Sequence, residues 1–312
     1  MIKCLEITLS FYHFIILSLC HYYCMNKLNG FLYGLLSSAS FGLIPLFTIP
    51  AMHQGMEFWS ILFYRFLFAM LALAGILLLD KQSFYIRRKE ILPLILLACL
   101  YDSSAVFLFW GYQFMASGVA TTIHFMYPVL TTLIMMIFFH EKKSFWRMEA
   151  IALAIGGVFF LSNGDSTGSV TWFGIFIVLI SALGYALYLV TVSQLKNLEM
   201  KGLKMTFYVF LFGGILLFTG MVISDIGLQA IPDRITLGNL VMLALVPTVI
   251  SNLALVRAIK NIGSTLTSVL GAMEPVTAVG VGILIFGEPF TSGIALGILL
   301  IISAVIIIIL KR

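Results

Sequence analysis

Charge is what this chain has least of: Asp, Glu, Lys and Arg together make up 10% of its 312 residues, against 61% hydrophobic ones. Soluble domains carry about 25% charged and 45–50% apolar residues, so a water-soluble globular fold is excluded. A mean hydropathy of +1.10 excludes intrinsic disorder as well. Cysteine is scarce too: Cys4, Cys20 and Cys24 crowd the start, Cys99 stands alone, and no disulfide framework can be drawn. Cys20 and Cys24 flank His21, but two thiols and one imidazole do not complete a metal site, and no metal ligand is assigned. The acidic residues form neither Asp-x-x-Asp nor His-Glu-x-x-His, which argues against an integral-membrane transferase acting on a lipid. There is no G-x-x-x-x-G-K-[ST] loop, so neither ATP chemistry nor any other cofactor is expected, and the chain reads as a non-enzyme.

What is present is a series of apolar runs near the roughly 20 residues that cross a bilayer, separated by short charge clusters. Stretches such as Ile298–Leu310 lack the alternation of a barrel wall, so the class is an all-α polytopic bundle in a lipid bilayer. Ten spans are predicted, at 28–49, 57–79, 91–112, 118–139, 146–162, 171–193, 204–224, 236–257, 263–286 and 290–310. Leu5–Tyr23 admits three readings: a signal peptide, an eleventh helix, or sequence upstream of a start at Met25. We favour the last, because Met25-Asn26-Lys27 is a basic lead-in and His21-Tyr22-Tyr23-Cys24 offers no small-residue cleavage site; residues 1–24 are then disposable.

Alternate connections differ sharply in basic residues. One side holds Lys27, Lys81, Arg87, Arg88, Lys89, Lys142, Lys143, Arg147, Lys196, Lys201, Lys204, Arg257, Lys260, Lys311 and Arg312, whereas the other holds only Arg234. The positive-inside rule then places both termini in the cytoplasm. The net charge of +5 is a topology signal rather than a nucleic-acid footprint.

The sequence also repeats itself. Phe63-Tyr64-Arg65-Phe66-Leu67-Phe68 returns as Phe207-Tyr208-Val209-Phe210-Leu211-Phe212, and Gly30, Leu35 and Ser37 return as Gly174, Leu179 and Ser181. Met126, Pro128, Val129, Phe139 and Glu141 return, after a three-residue insertion, as Met273, Pro275, Val276, Phe286 and Glu288. The units are residues 25–162 and 163–312. Each holds five spans, an odd number, so the second enters the membrane inverted. Two inverted halves pack almost equally well in two arrangements and can expose one central site to either side, which is the basis of alternating access.

An ionisable group in hydrocarbon costs about 2.5–3.5 kcal/mol by insertion scales and marks function by default. Four stand well inside predicted spans, clear of their ends: Arg65, Asp102, His124 and Glu274. Arg65 has two readings, snorkelling to the interface beside Glu57 or lining a cavity. Asp102 and Glu274 lie too deep to snorkel and must be neutral, paired or hydrated; a carboxyl that takes a proton at that depth is what proton coupling requires. His124 is either a proton-responsive partner or a packing histidine bonded to a hydroxyl such as Thr121. Pro128 and Pro275 interrupt equivalent spans and point to a site and its hinges. Tyr127, Trp110 and Asn252 are candidates for the same space, with core packing as the competing reading. Gly156-Gly157, Gly213-Gly214, Gly293 and Gly297 are scaffold positions where helices approach closely, and Glu141 and Glu288 are expected to bond helix termini.

The doubled unit, with Phe41-Gly42, Tyr185-Ala186, Arg65-Phe66, Tyr127-Pro128-Val129 with Glu141, and Glu274-Pro275-Val276 with Gly287-Glu288, resembles the EamA-type family of the drug/metabolite transporter superfamily over residues 28–310. The resemblance implies an inner-membrane carrier of small metabolites, often an exporter of amino acids or related compounds. Its site would lie between the halves, driven by a proton gradient or a counter-substrate. A homodimer is left open, and a flippase of a lipid-linked headgroup is the alternative. Phe41 stands where Trp is more usual, and His140 replaces the Gly that precedes Glu in the second unit; both bear on substrate rather than fold.

Overall fold

A computed structural model of the chain describes residues 27–138, 145–163, 170–195, 200 and 202–310. Residues 1–24, His140, Glu141, the Lys142-Lys143 cluster and the terminal Lys311-Arg312 lie outside the described residues. The described residues are helical and contain no strand. In chain order the helices are α1 (27–42), α2 (Ile44–His53), α3 (Phe58–Leu79), α4 (Arg88–Gly111), α5 (Ser117–His124), α6 (Tyr127–Phe138), α7 (Phe145–Asn163), α8 (Trp172–Gln194), α9 (Gly202–Ile223), α10 (Arg234–Ala244), α11 (Ser251–Leu270), α12 (Met273–Phe286) and α13 (Ser292–Leu310). Among the described residues, seven helices are long and apolar enough to cross a membrane; three of them, Lys27–His53, Ser117–Phe138 and Arg234–Ala258, are built from shorter segments joined end to end. Three shorter apolar helices, Met148–Leu161, Met273–Phe286 and Ser292–Ile307, accompany them.

The interruptions follow from local chemistry. Pro45 sits in the first turn of α2 and removes a backbone donor, so the first span bends at Leu43, whose N–H bonds Ser40 O at 3.1 Å. The fourth span turns at Phe125–Met126, just ahead of Pro128, and α12 begins after a turn at Gly271–Ala272, just ahead of Pro275. Pro247 opens the eighth span into a π-helical turn, Leu245–Ile250, between α10 and α11. One expectation is corrected. The connection placed between residues 257 and 263 is helical, and α11 runs unbroken from Ser251 to Leu270 because no proline interrupts it. Arg257 lies over the Tyr33 ring at 5.6 Å, an aromatic partner that a loop reading did not provide.

Packing is set by small residues. α1 lays Gly30 against Ile262 and Asn261, Gly34 against Leu270, and Gly42 against the Glu274 carbonyl and Thr277. α7 and α13 meet at Gly157 and Gly297, where a Cβ on either would stand 2.9 or 2.8 Å from the other's carbonyl oxygen. α4 packs on α8 and α9, α3 on α9 and α10, α5 on α12, and α6 on α8.

The repeat is visible in the backbone. α3 and α9 both end in a left-handed residue, Lys81 (φ 50) and Asp225 (φ 54). Both use the same six-residue cap, Gln82 N–H to Leu77 O at 2.9 Å and Ile226 N–H to Met221 O at 2.8 Å. Side chains repeat as well. Ser251 Oγ donates to Ser37 O at 2.9 Å, and Ser181 Oγ donates to Ser104 O at 2.6 Å. Ser37 and Ser181 are equivalent positions, as are Ser104 and Ser251.

Gly157→Leu is expected to drive a side chain into the α13 backbone and to destabilise the detergent-solubilised protein by about 1–3 kcal/mol. Gly156→Leu, whose Cβ meets nothing nearer than 4.0 Å, should cost much less. Thermal unfolding followed by size-exclusion fluorescence compares the two, and equal losses would contradict the close approach.

Candidate functional site

Arg65 does not snorkel. It is 2% exposed, its Nε donates to Thr248 Oγ1 at 2.9 Å, and its guanidinium stands 5.7 Å from the Phe109 ring centroid. The π turn presents Thr248, which passes its own proton to Leu243 O at 3.1 Å, while Asn252 Nδ2 donates to Thr248 O at 2.6 Å. Among the described residues the Arg65 Nη groups have no hydrogen-bond partner. A buried, fixed and always-charged fork is thus left with its outer donors available for a carboxylate.

His124, 2% exposed, closes α5. Its hydroxyl partner is Ser181, with Nδ1 to Oγ at 3.0 Å, not Thr121, which instead pairs with the Tyr112 hydroxyl at 3.3 Å. Ser181 spends its only proton on Ser104 O, so the ring must donate from Nδ1. In the neutral ring Nε2 then carries the lone pair. Tyr127 and Tyr185 ring centroids each lie 5.7 Å from the imidazole and 4.7 Å from each other. Tyr188 stacks on Tyr185 at 5.8 Å, and Tyr101 meets Tyr185 at 6.3 Å and Tyr188 at 5.5 Å. The sequence reading missed Tyr101, Tyr185 and Tyr188 as a group; their signal was tyrosine three residues from tyrosine deep in one span and beside Asp102 in another.

Glu274, 5% exposed, sits in the first turn of α12, directly before Pro275. Gly42 admits the α12 backbone here, because a Cβ would meet the Glu274 carbonyl. None of the hydrogen bonds among the described residues ends on its carboxyl. Tyr127 and Tyr185 lie within its electrostatic reach, and Tyr101 within that of Arg65, Asp102 and Glu274 together. Tyr112 feels both Arg65 and Glu274. Helices α3, α5, α6, α8 and α12 thus contribute one buried guanidinium, an imidazole, phenols and one buried carboxyl, on Arg65, His124, Tyr127, Tyr185 and Glu274.

Two predicted members stand apart. Trp110 belongs to a different aromatic group, with Phe107 at 6.2 Å, Phe114 at 6.1 Å and Phe173 at 5.9 Å. Asp102, 7% exposed, faces Gly213 of α9, and neither carboxyl oxygen has a partner among the described residues.

Glu288 reaches from one half to the other. After the left-handed Gly287 (φ 65), its carboxylate crosses the bare face of Gly282. Oε1 accepts from Ser117 N–H at 2.7 Å and Ser117 Oγ at 2.6 Å, and Oε2 from Gly118 N–H at 3.2 Å. A carboxylate on the exposed N–H groups of α5 is the favoured arrangement for a helix start. At the mouth of α10, Asp233 accepts from Thr236 N–H at 2.6 Å, which holds its carboxyl below the usual range.

The family comparison fits this geometry. The description "EamA-like transporter family" matches residues 28–163 and again 172–310. A mouse protein described as solute carrier family 35 member G1 (Mus musculus) is 28% identical over 145 residues, which span 45% of this chain and 39% of that protein. One protein crystal structure shares the fold with a TM-score of 0.63 at 14% identity, covering 91% of this chain and 96% of that one.

Glu288→Ala leaves the α5 amides uncapped and is expected to cost about 1–2 kcal/mol. Hydrogen exchange should speed up at Ser117 and Gly118 ahead of the rest of the bundle; uniform acceleration would assign Glu288 no local role.

Proposed function

The chain belongs to the EamA-like transporter family, and from that membership we propose that it is a gradient-driven carrier of a small amino-acid-like zwitterion, working by alternating access. Ten membrane helices form two inverted units, residues 25–162 and 163–312, and the unit interface holds the site. The observation that carries this reading is the duplicated bonding: the two serine pairs exchange under one operation that swaps α1–α2 with α8 and α4 with α10–α11. The helix pairings obey the same swap. α4 on α8 answers α10 on α2, α4 on α9 answers α10 on α3, and α6 on α8 answers α12 on α2. Two halves so related have a second arrangement of nearly equal energy, with the site open to the other side.

Within that frame Arg65 takes the substrate carboxylate with its free Nη pair, and Glu274 takes the ammonium. Tyr127, Tyr185 and the His124 Nε2 accept or supply the remaining hydrogen bonds. In the empty carrier Glu274 holds a proton, because a lone carboxylate in hydrocarbon is costly; the substrate ammonium replaces it. That exchange couples substrate to a proton gradient, and a counter-substrate amine would serve equally. With the basic connections in the cytoplasm of a cell's inner membrane, export is the direction favoured by the family resemblance.

A thermal-shift screen of the solubilised protein with free amino acids, followed by counterflow of the labelled hit in proteoliposomes, tests this. Glu274→Gln should abolish pH-dependent movement, and Arg65→Lys should raise KM roughly tenfold by losing the bidentate pair. Undiminished rate and pH dependence in Glu274→Gln would refute the assignment.

A further inference from the structure

Asp102 lies outside the site above, and its surroundings have a character of their own. It lines an open recess of about 200 Å³ with Trp59, Cys99, Leu216, Leu217 and Gly220, between α3, α4 and α9. The cavity opens sideways. Cys99 is exposed and continues the exposed Leu92 and Leu96 of α4 along one helical stripe, while Ile215 and Phe218 are exposed on α9 beside it. Surfaces of that composition face acyl chains, so the mouth lies on the bilayer-facing side of the bundle. Gly213 makes room for the carboxyl, since a Cβ there would stand 2.5 Å from Asp102 Oδ1. Both carboxyl oxygens are buried without a hydrogen-bond partner among the described residues.

We propose that this lateral cavity binds the ammonium head of a single-chain cationic amphiphile, with Asp102 as its counter-charge and the apolar tail left in the bilayer. The volume is below the 300–1,000 Å³ of sites that enclose a whole drug-sized ligand and suits a head group alone. Trp59 supplies an aromatic wall, the surface that best accommodates an alkylated ammonium. No basic side chain lines the recess among the described residues, so a lipid-linked phosphate headgroup finds no counter-charge there. The inference is independent of the Arg65 and Glu274 reading, because the two sites use different charged groups.

Cys99 at the mouth serves as reporter. In a Cys4→Ser, Cys20→Ser, Cys24→Ser protein in phosphatidylglycerol nanodiscs, dodecyltrimethylammonium should slow modification of Cys99 by N-ethylmaleimide several-fold. The uncharged dodecanol should not, and tetramethylammonium, lacking a tail, should act only at much higher concentration. Asp102→Asn is expected to weaken the protection roughly tenfold. Leu216→Trp, which fills the mouth and keeps the carboxyl, should abolish ligand-dependent protection even if Asp102→Asn proves unstable. Glu274→Gln should leave it intact. Equal protection by dodecanol, or protection surviving both Asp102→Asn and Leu216→Trp, would overturn the proposal. So would protection lost in Glu274→Gln alone, which would place the ligand in the central site. Cys99 already shielded in phosphatidylcholine discs without added amine would assign the cavity to the lipid's own choline head and overturn the single-chain occupant.

Discussion

Two hydrogen bonds from serine hydroxyls to backbone carbonyls, Ser251 to Ser37 and Ser181 to Ser104, hold the remainder of the structure in place. Each ties a helix of the first family-matched stretch to a helix of the second through serines buried from solvent. A hydroxyl between packed helices must find an acceptor inside the protein, because leaving it bare is expensive in a medium without donors. The bond therefore fixes both the rotation and the height of its two helices. Once α4 and α8 are locked at Ser104 and Ser181, Tyr101, Tyr185 and Tyr188 meet across the same interface, and His124 is tethered to it through Ser181. The partner bond locks α1 to α11, so that Gly34 and Gly42 receive Leu270 and the start of α12 with Glu274.

The interrupted helices place chemistry where a continuous helix could not. At Phe125–Met126 and Gly271–Ala272 the backbone turns within the bundle, and Pro128 and Pro275 ensure that the following helix starts anew rather than extending the preceding one. His124 lies just before one break and Glu274 just after the other, and both side chains are buried in the bundle. The π turn at Leu245–Ile250 does the same for Thr248, the anchor of Arg65. Irregular backbone at membrane depth is tolerated only where protein or a cavity satisfies it. Here the breaks fall beside Arg65, His124 and Glu274.

Electrostatically the molecule keeps its buried charges apart. Among the described residues Arg65 has a threonine and an aromatic face, not a carboxylate, while Asp102 packs on Gly213 of α9 and Glu274 lies near the tyrosines. A closed internal ion pair would neutralise these groups and leave nothing for a ligand. Unpaired charges of both signs in one bundle cost stability, a cost that makes sense only where a ligand or a proton completes them. Glu288 is the contrast: fully engaged on the α5 amides, it is structural.

The amino-acid order by itself determined the all-helical membrane class, the apolar spans, the doubled unit and the positions of the four ionisable residues, because hydropathy, charge asymmetry and repetition are properties of neighbours along the chain. It also marked Pro128 and Pro275, since a missing N–H acts locally. Which groups meet was decided only in three dimensions. That Arg65 is buried on Thr248 rather than snorkelling, that His124 answers to Ser181 rather than Thr121, that Trp110 and Asp102 leave the central group, and that α11 runs on past the expected loop all depend on helix rotation and on contacts between residues far apart in sequence. Apolar composition leaves that rotation nearly free, because a helix greasy on every side has no polar face to turn away from its neighbours; small residues and a few buried hydrogen bonds choose it instead.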